Sequence, residues 1–214
     1  MSAGASSAVT GSSLTEPIAQ SLAERGYAIV PEFLGRAAAR ALAEAARSRE
    51  SRGEFRPAAI GAGAHRAVRP RIRGDQIHWL AEPLLPAERE ALAAFEALRQ
   101  RLNESCALGL VDLECHYAVY PPGAGYVRHL DRSPVGAERV VSVVLYLNDS
   151  WVEGDGGALV LHVEPVVEVL PRSGTLAVFL SERIEHEVRP AGRSRLSLAG
   201  WFRRRGRLYG GAPA

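Results

Sequence analysis

Apolar positions recur along this chain at two different periods, and the change from one to the other divides it. The first half follows the helical period. Leu14, Ile18 and Leu22 share one face behind Ser13-Leu14-Thr15-Glu16, a spacing that predicts a capping box, and Gly26 supplies the stop. Tyr27 to Val30 predicts a short strand ended by Pro31, and the alanine-rich stretch from Gly35 to Arg49 predicts a second helix. Pro86 suits a first helical position, and Leu92, Phe95, Leu98, Leu102 and Cys106 form the apolar stripe of a third, longer helix. Between the second and third helices, Ser51 to Pro70 is rich in Gly, Arg and Pro and lacks periodicity, which predicts a loop free to move.

After about Asp112 the texture changes to short β-branched and aromatic runs punctuated by Gly, Pro and Asn. The runs are Glu114 to Tyr120, Val140 to Leu147, Ala158 to Val163, Val166 to Leu170, Thr175 to Leu180 and Arg195 to Phe202. Many short strands at even spacing predict a sandwich or barrel rather than a parallel α/β sheet. No internal repeat and no linker composition separates the halves. The expectation is a disordered tail over 1–13, one domain over 14–207 and a second tail over 208–214. Within the domain, 14–110 would form a helical brace and substrate loop, and 111–207 a mainly β core.

Composition narrows the function classes. With 214 residues, 47% apolar and 23% charged, the chain suits one domain with a substantial core. No apolar run approaches the roughly 20 residues that span a bilayer, so no membrane partner is expected. Met1 to Ser13 lacks a basic start and an apolar stretch, so a secretory leader is not expected and a cytoplasmic protein is. The net charge of +2 gives no global field, and Arg203-Arg204-Arg205-Gly206-Arg207 reads as a solvated charge run, so nucleic acid is not an expected partner. All 26 basic residues are arginine. Cys106 and Cys115 make no C-x-x-C pair and read as small buried hydrophobes.

The chemistry concentrates in three places. His129-Leu130-Asp131 lies in or beside an extended segment, where residues i and i+2 point the same way, so imidazole and carboxylate can reach one metal from one face. His186 follows the apolar strand from Thr175 to Leu180 and a charged turn, where a rim position would deliver a third ligand. Two histidines and a carboxylate leave coordination positions open, which suits non-haem iron(II), although zinc accepts similar ligands. Arg195, Ser197, Ala199 and Trp201 share one face of a strand whose other face, Leu196, Leu198 and Phe202, is apolar. An arginine facing a core needs an anion, and a dicarboxylate cosubstrate offers one through paired hydrogen bonds; the alternative is a surface ion pair on an edge strand. His65, His78, His116 and His162 are assigned no role, Tyr117 and Tyr126 read as core aromatics, and Asp155-Gly156-Gly157 reads as a tight turn.

The order His-x-Asp, a distal His and an Arg nine positions later resembles the iron(II)- and 2-oxoglutarate-dependent oxygenases. More narrowly, Gly26-Tyr27-Ala28-Ile29-Val30-Pro31-Glu32-Phe33-Leu34, Ile72-Arg73-Gly74-Asp75-Gln76-Ile77-His78-Trp79-Leu80, Tyr126 to Asp131 and Leu145-Tyr146-Leu147-Asn148 resemble the oxygen-sensing prolyl hydroxylases and their bacterial relatives. Gly156-Gly157, His186-Glu187-Val188 and Trp201-Phe202 fit as well. The resemblance implies an α+β fold whose core is a double-stranded β-helix, a jelly-roll or cupin-like barrel. It implies His129, Asp131 and His186 as ligands of Fe(II). Arg195 would bind the distal carboxylate of 2-oxoglutarate, Tyr146 would add a hydrogen bond, and Tyr120 would line the same pocket. Arg73 and Asp75 would shape the substrate entrance and Trp201 would wall the site. The implied reaction is O2-dependent hydroxylation of a prolyl residue in a protein, with a bacterial translation factor or ribosomal protein as the expected partner, giving succinate and CO2, with ascorbate (vitamin C) as a supporting reductant. Two alternatives stay open: hydroxylation of a free amino acid or small metabolite, and a non-catalytic barrel that binds a ligand. A nucleic-acid dealkylase fits poorly, because that subgroup's second arginine is Trp201 here.

Overall fold

The computed structural model describes residues 10–61, 66–131 and 137–205. Three helices, α1 (Thr10–Arg25), α2 (Arg36–Ser51) and α3 (Pro86–Cys106), accompany eleven strands. The strands are β1 (Tyr27–Val30), β2 (Arg56–Pro57), β3 (Gln76–Trp79), β4 (Asp112–Tyr120), β5 (Tyr126–His129), β6 (Ala137–Tyr146), β7 (Leu159–Leu161), β8 (Val167–Val169), β9 (Leu176–Leu180), β10 (His186–Val188) and β11 (Arg195–Arg205). Helix α1 begins at Thr10, so Ser13 lies inside the helix and not at its cap, and 10–13 leave the expected tail. The remaining tail residues and His65 lie outside the described residues. Pro86 opens α3, where the Glu88 carboxylate reaches back to accept from the Leu85 N–H at 2.7 Å, satisfying a donor the first turn leaves free.

The strands form a seven-stranded sheet, β1-β9-β6-β11-β4-β3-β2, and a four-stranded sheet, β5-β10-β7-β8. The two remain separate sheets facing each other rather than closing into a barrel, because the edge strands of one do not hydrogen-bond to those of the other. Alternation along the large sheet sorts its side chains. Tyr117, Val141, Leu145, Leu198 and Phe202 turn outward into a core shared with Leu42 of α2 and Phe95, Leu98 and Leu102 of α3. Each such fully buried side chain contributes roughly 1.5–3 kcal/mol of hydrophobic burial. Ala118, Tyr120, Tyr146, Ala177 and Phe179 turn inward, toward Leu159, Leu161 and Val188 of the small sheet. The inner space between the sheets holds the site.

Both cysteines are free, Cys115 buried and Cys106 half-buried, as their apolar reading expects. The terminal arginines differ from a solvated run. Arg203 and Arg204 extend β11 and form ion pairs, Arg203 with Asp112 at 2.7 Å and Glu114 at 3.0 Å, and Arg204 with Glu138.

Candidate metal and cosubstrate centre

The strands bring His129, Asp131 and His186 together, one potential ligand atom from each lying within 4.8 Å of the others. His129 ends β5 and His186 opens β10, and the two are direct antiparallel partners across the small sheet. Asp131 follows β5, held by its N–H donating to the Ser181 carbonyl at 3.2 Å. Each imidazole is oriented from behind: Nδ1 of His129 meets the Val127 carbonyl at 2.7 Å, and Nδ1 of His186 meets the Ile184 carbonyl at 3.1 Å. Those contacts place the proton on Nδ1 and leave each Nε2 as a lone pair aimed inward, 3.6 Å and 3.5 Å from the Asp131 carboxylate.

Electrostatics keep the Asp131 carboxyl ionised. Burial pushes it up, but hydrogen bonding from His129 and positive charge at the His186 and His129 rings outweigh burial and hold it well below the usual carboxylate range, a role that a metal cation would take over. Burial lowers His186 below an ordinary imidazole, with Asp131 pulling the other way. The Ser142 hydroxyl on β6 donates to Asp131 Oδ2 at 2.7 Å and fixes its rotation.

These residues line one side of a cleft whose empty space, its open mouth included, is about 510 Å³. Arg195 lines the same cleft at 1% exposure. Its Nε donates to the Gly157 carbonyl at 2.9 Å, and the guanidinium lies 5.3 Å and 5.1 Å from the Tyr120 and Tyr146 ring centres. Gly157 is more than a turn residue: at φ +71° an added Cβ would sit 2.9 Å from the Ala191 Cβ, 3.0 Å from Trp151 and 3.4 Å from Arg195 Cδ. Arg195 NH2 and the Tyr146 hydroxyl are both buried without a hydrogen-bond partner. Burial pushes Tyr146 up to about 12, with Arg195 opposing, so the phenol stays a neutral donor. A buried cation and a buried hydroxyl, side by side and unsatisfied, fit an anionic acceptor such as the distal carboxylate of 2-oxoglutarate. Two imidazoles and one carboxylate on one face likewise fit iron(II) with positions left open.

The other predicted residues fall on the same cleft. Arg73 donates to Asp75 through both Nε (2.8 Å) and NH2 (3.0 Å), and Asp75 is buried. Trp201 forms a wall, with the Arg139 guanidinium 3.7 Å from its ring centre. Three contributors escaped the sequence reading. Tyr126 stacks on His129 with centroids 3.6 Å apart, Ser142 orients Asp131, and His116 lies buried between Trp79 (4.7 Å) and Trp201 (5.3 Å). For Ser142 a signal existed, the one serine in the otherwise aliphatic and aromatic run from Val140 to Leu147.

Comparison with known proteins agrees with this geometry. The 2OG-Fe(II) oxygenase superfamily profile matches residues 115–203. Human prolyl hydroxylase EGLN3 is 30% identical over 200 residues, covering 87% of this chain and 82% of the relative. The chain therefore belongs to the 2OG-Fe(II) oxygenase superfamily, whose members use Fe(II), 2-oxoglutarate and O2. Prolyl hydroxylases are among the solved structures that it resembles. The crystal structure of a Pseudomonas putida prolyl-4-hydroxylase superposes with a TM-score of 0.81 at 45% identity, covering 90% of this chain and all of that one (100%). A Trichoplax adhaerens prolyl hydroxylase, in complex with a hypoxia inducible factor oxygen degradation domain peptide fragment, gives 0.80 at 29% identity, with 90% of each chain covered. These likenesses give the facing sheets the double-stranded β-helix arrangement of the family.

Proposed function

We propose that this chain hydroxylates a prolyl residue within a protein or peptide, with 2-oxoglutarate as cosubstrate. One observation carries the cosubstrate assignment: the unsatisfied Arg195 NH2 and Tyr146 hydroxyl, buried in the cleft that His129, Asp131 and His186 line. The prolyl assignment is supported by 45% identity to a bacterial prolyl-4-hydroxylase over that protein's whole length.

Iron(II) bound by the triad would supply the oxygen chemistry, coupled to decarboxylation of 2-oxoglutarate to succinate and CO2. The chain's own residues do the rest. Arg195 and Tyr146 bind the cosubstrate's distal carboxylate and so fix which end faces the triad. Ser142 and the carbonyls of Val127 and Ile184 hold the three ligands in their orientations. Trp201, Tyr120 and Tyr126 exclude water around them, and Arg73 with Asp75 forms a rigid edge where substrate enters. The proposal extends to a translation component as the protein substrate, to action in the cytoplasm and to ascorbate as a supporting reductant, as the likeness to the bacterial subgroup suggests.

The test begins without oxygen. Iron(II) and 2-oxoglutarate added to the purified protein should give the visible charge-transfer band of the chelate. In air, proline-containing peptides should then gain the mass of one oxygen atom as succinate appears. Turnover of 2-oxoglutarate that oxidises only free amino acids, and never a peptidyl proline, would overturn the prolyl reading.

A further inference from the structure

The cleft has a neighbour. Beyond Tyr126 and Val188, which face both spaces, runs an open groove of about 900 Å³. Arg71, Val127, Arg189 and Pro190 line it, together with Gly123 and Gly125, which have no side chain. At Gly125 an added Cβ would lie 2.5 Å from the Val188 carbonyl, so the two backbones run too close for a side chain between them. At Gly123, by contrast, an added Cβ would meet nothing within 4 Å, so an extended chain leaving the cleft can continue past it unobstructed.

The lip of this groove, residues 66–75, is fixed in place. Val127 N–H donates to the Ile72 carbonyl at 3.0 Å, Gly74 N–H to the Gly125 carbonyl at 2.9 Å, and Arg73 N–H to the Arg69 carbonyl at 3.0 Å. The Arg73 guanidinium also sits 5.1 Å from the Tyr126 ring centre. On this lip Arg66, Arg69 and Arg71 are exposed, and none has an ion-pair partner among the described residues. That is unlike the arginines around it: Arg128 pairs with Glu185, Arg189 with Glu168 at 2.7 Å and Arg193 with Asp155 at 3.4 Å. The one carboxylate of the groove, Glu187, already faces Arg189 at 3.9 Å and His162 at 3.8 Å. Arg71 lines the groove itself and Arg66 and Arg69 stand on the same lip, so three guanidinium groups without a carboxylate of their own are free to pair with carboxylates brought by an extended peptide.

We infer that this groove receives the segment flanking the target residue, and that the segment is acidic, its carboxylates pairing with Arg66, Arg69 and Arg71. The inference rests on the prolyl hydroxylase reading above and names the substrate class of the same site. The test uses full-length protein with iron(II) and 2-oxoglutarate under nitrogen. The probes are fluorescent peptides identical around one proline, carrying Asp, Asn or Lys triplets on one flank at a time. By anisotropy, Asp on one flank should bind on the order of tenfold tighter than Asn, the sum of three surface pairs. That advantage should shrink between about 0.05 M and 0.5 M salt. The R66Q/R69Q/R71Q variant should lose the preference, and R66E/R69E/R71E should prefer the Lys flank, a reversal that a folding defect cannot produce. Equal affinities for all flanks, or a preference that the triple variants leave in place, overturns the inference. Oxygen transfer in air separates it from its premise. Flank-dependent binding with 2-oxoglutarate consumed but no proline oxidised removes the prolyl reading and keeps the acidic groove. Prolines oxidised at rates blind to flank charge do the reverse.

Discussion

Replacing Arg195 with methionine should divide stability from function in a way no structural arginine would. In the chain without ligands, a guanidinium at 1% exposure has a single hydrogen bond, Nε to the Gly157 carbonyl, while NH2 has no partner. Burying a charge without its counterion costs several kcal/mol, and an apolar side chain of similar length removes that cost while losing one hydrogen bond of about 1–3 kcal/mol. Arg195→Met without ligands should therefore unfold within about 1 kcal/mol of the parent, or later. Cosubstrate binding should behave oppositely. Losing the buried partner of a carboxylate costs about 3–5 kcal/mol, a hundredfold or more in the 2-oxoglutarate Kd. Thermal unfolding read by tryptophan fluorescence, with iron(II) present and oxygen excluded, reports both. At about a hundred times its Kd the cosubstrate stabilises the parent by about 2.7 kcal/mol. For a domain of this size that is roughly 5–10 °C in Tm. The variant should show no such rise at the same concentration and should bind iron(II) normally. A variant that unfolds several kcal/mol earlier yet keeps the parent's 2-oxoglutarate affinity would refute the argument and make Arg195 a structural residue.

Other positions give sharper single readings. Asp131→Ala should abolish iron(II) binding; tight binding retained in a chelator competition would remove Asp131 from the triad. Ser142→Ala removes the hydrogen bond that orients Asp131 and should weaken iron(II) binding about 10- to 100-fold in the same assay, with the fold intact. Burial, with Arg73 and Arg139 nearby, lowers His116 to about 3, so between its unfolded pKa near 6.5 and about 3 only the unfolded chain binds this proton. Stability from His116 is thus full above about 6.5 and falls with acid, by about 2 kcal/mol at pH 5; His116→Leu should flatten that part of the urea-unfolding profile, and an unchanged slope would disprove the assignment. Arg49 donates to Glu88 at 2.5 Å and 2.7 Å in a buried pair, so Arg49→Met should cost about 3–5 kcal/mol and the double change Arg49→Met with Glu88→Met should recover most of it. If the double variant is as unstable as the single, the loss comes from packing instead.

Much of the site was legible because its signals are local. His129 and Asp131 are two apart on an extended chain, and Arg195 opens a strand whose alternate positions are plainly apolar, so facing could be read without the fold. The helix faces of α1 and α3 were visible for the same reason. What escaped depends on partners distant in sequence. Nothing near Tyr126 says that it stacks on His129, and His116 looks like any strand histidine until β3 brings Trp79 against it and β11 brings Trp201. Gly157 reads as a turn glycine because the side chain that needs its carbonyl, Arg195, lies 38 residues away. The short strand β3 carries only four residues, too few for a periodicity, and is set by pairing with β4. Whether the sheet edges meet was not legible, because strand count predicts a sandwich and a barrel equally well.

The ligand residues are distributed unevenly between the two sheets. His129 lies on β5, an edge strand joined to its sheet through β10 with a register shift, while Asp131 is tied through Ser142 to the middle of the large sheet. An ion bound by the three would therefore act as a rivet between a loosely seamed flap and a stiff plate. Drawing it out would leave β5 held by β10 and by the lip at Ile72 to Gly74, through backbone hydrogen bonds that need no ion, but without its tie to the large sheet. Metal occupancy in this chain then sets more than reactivity: it would add a cross-brace between the sheets at the strand whose hydrogen bonds carry the rim against which a substrate must lie.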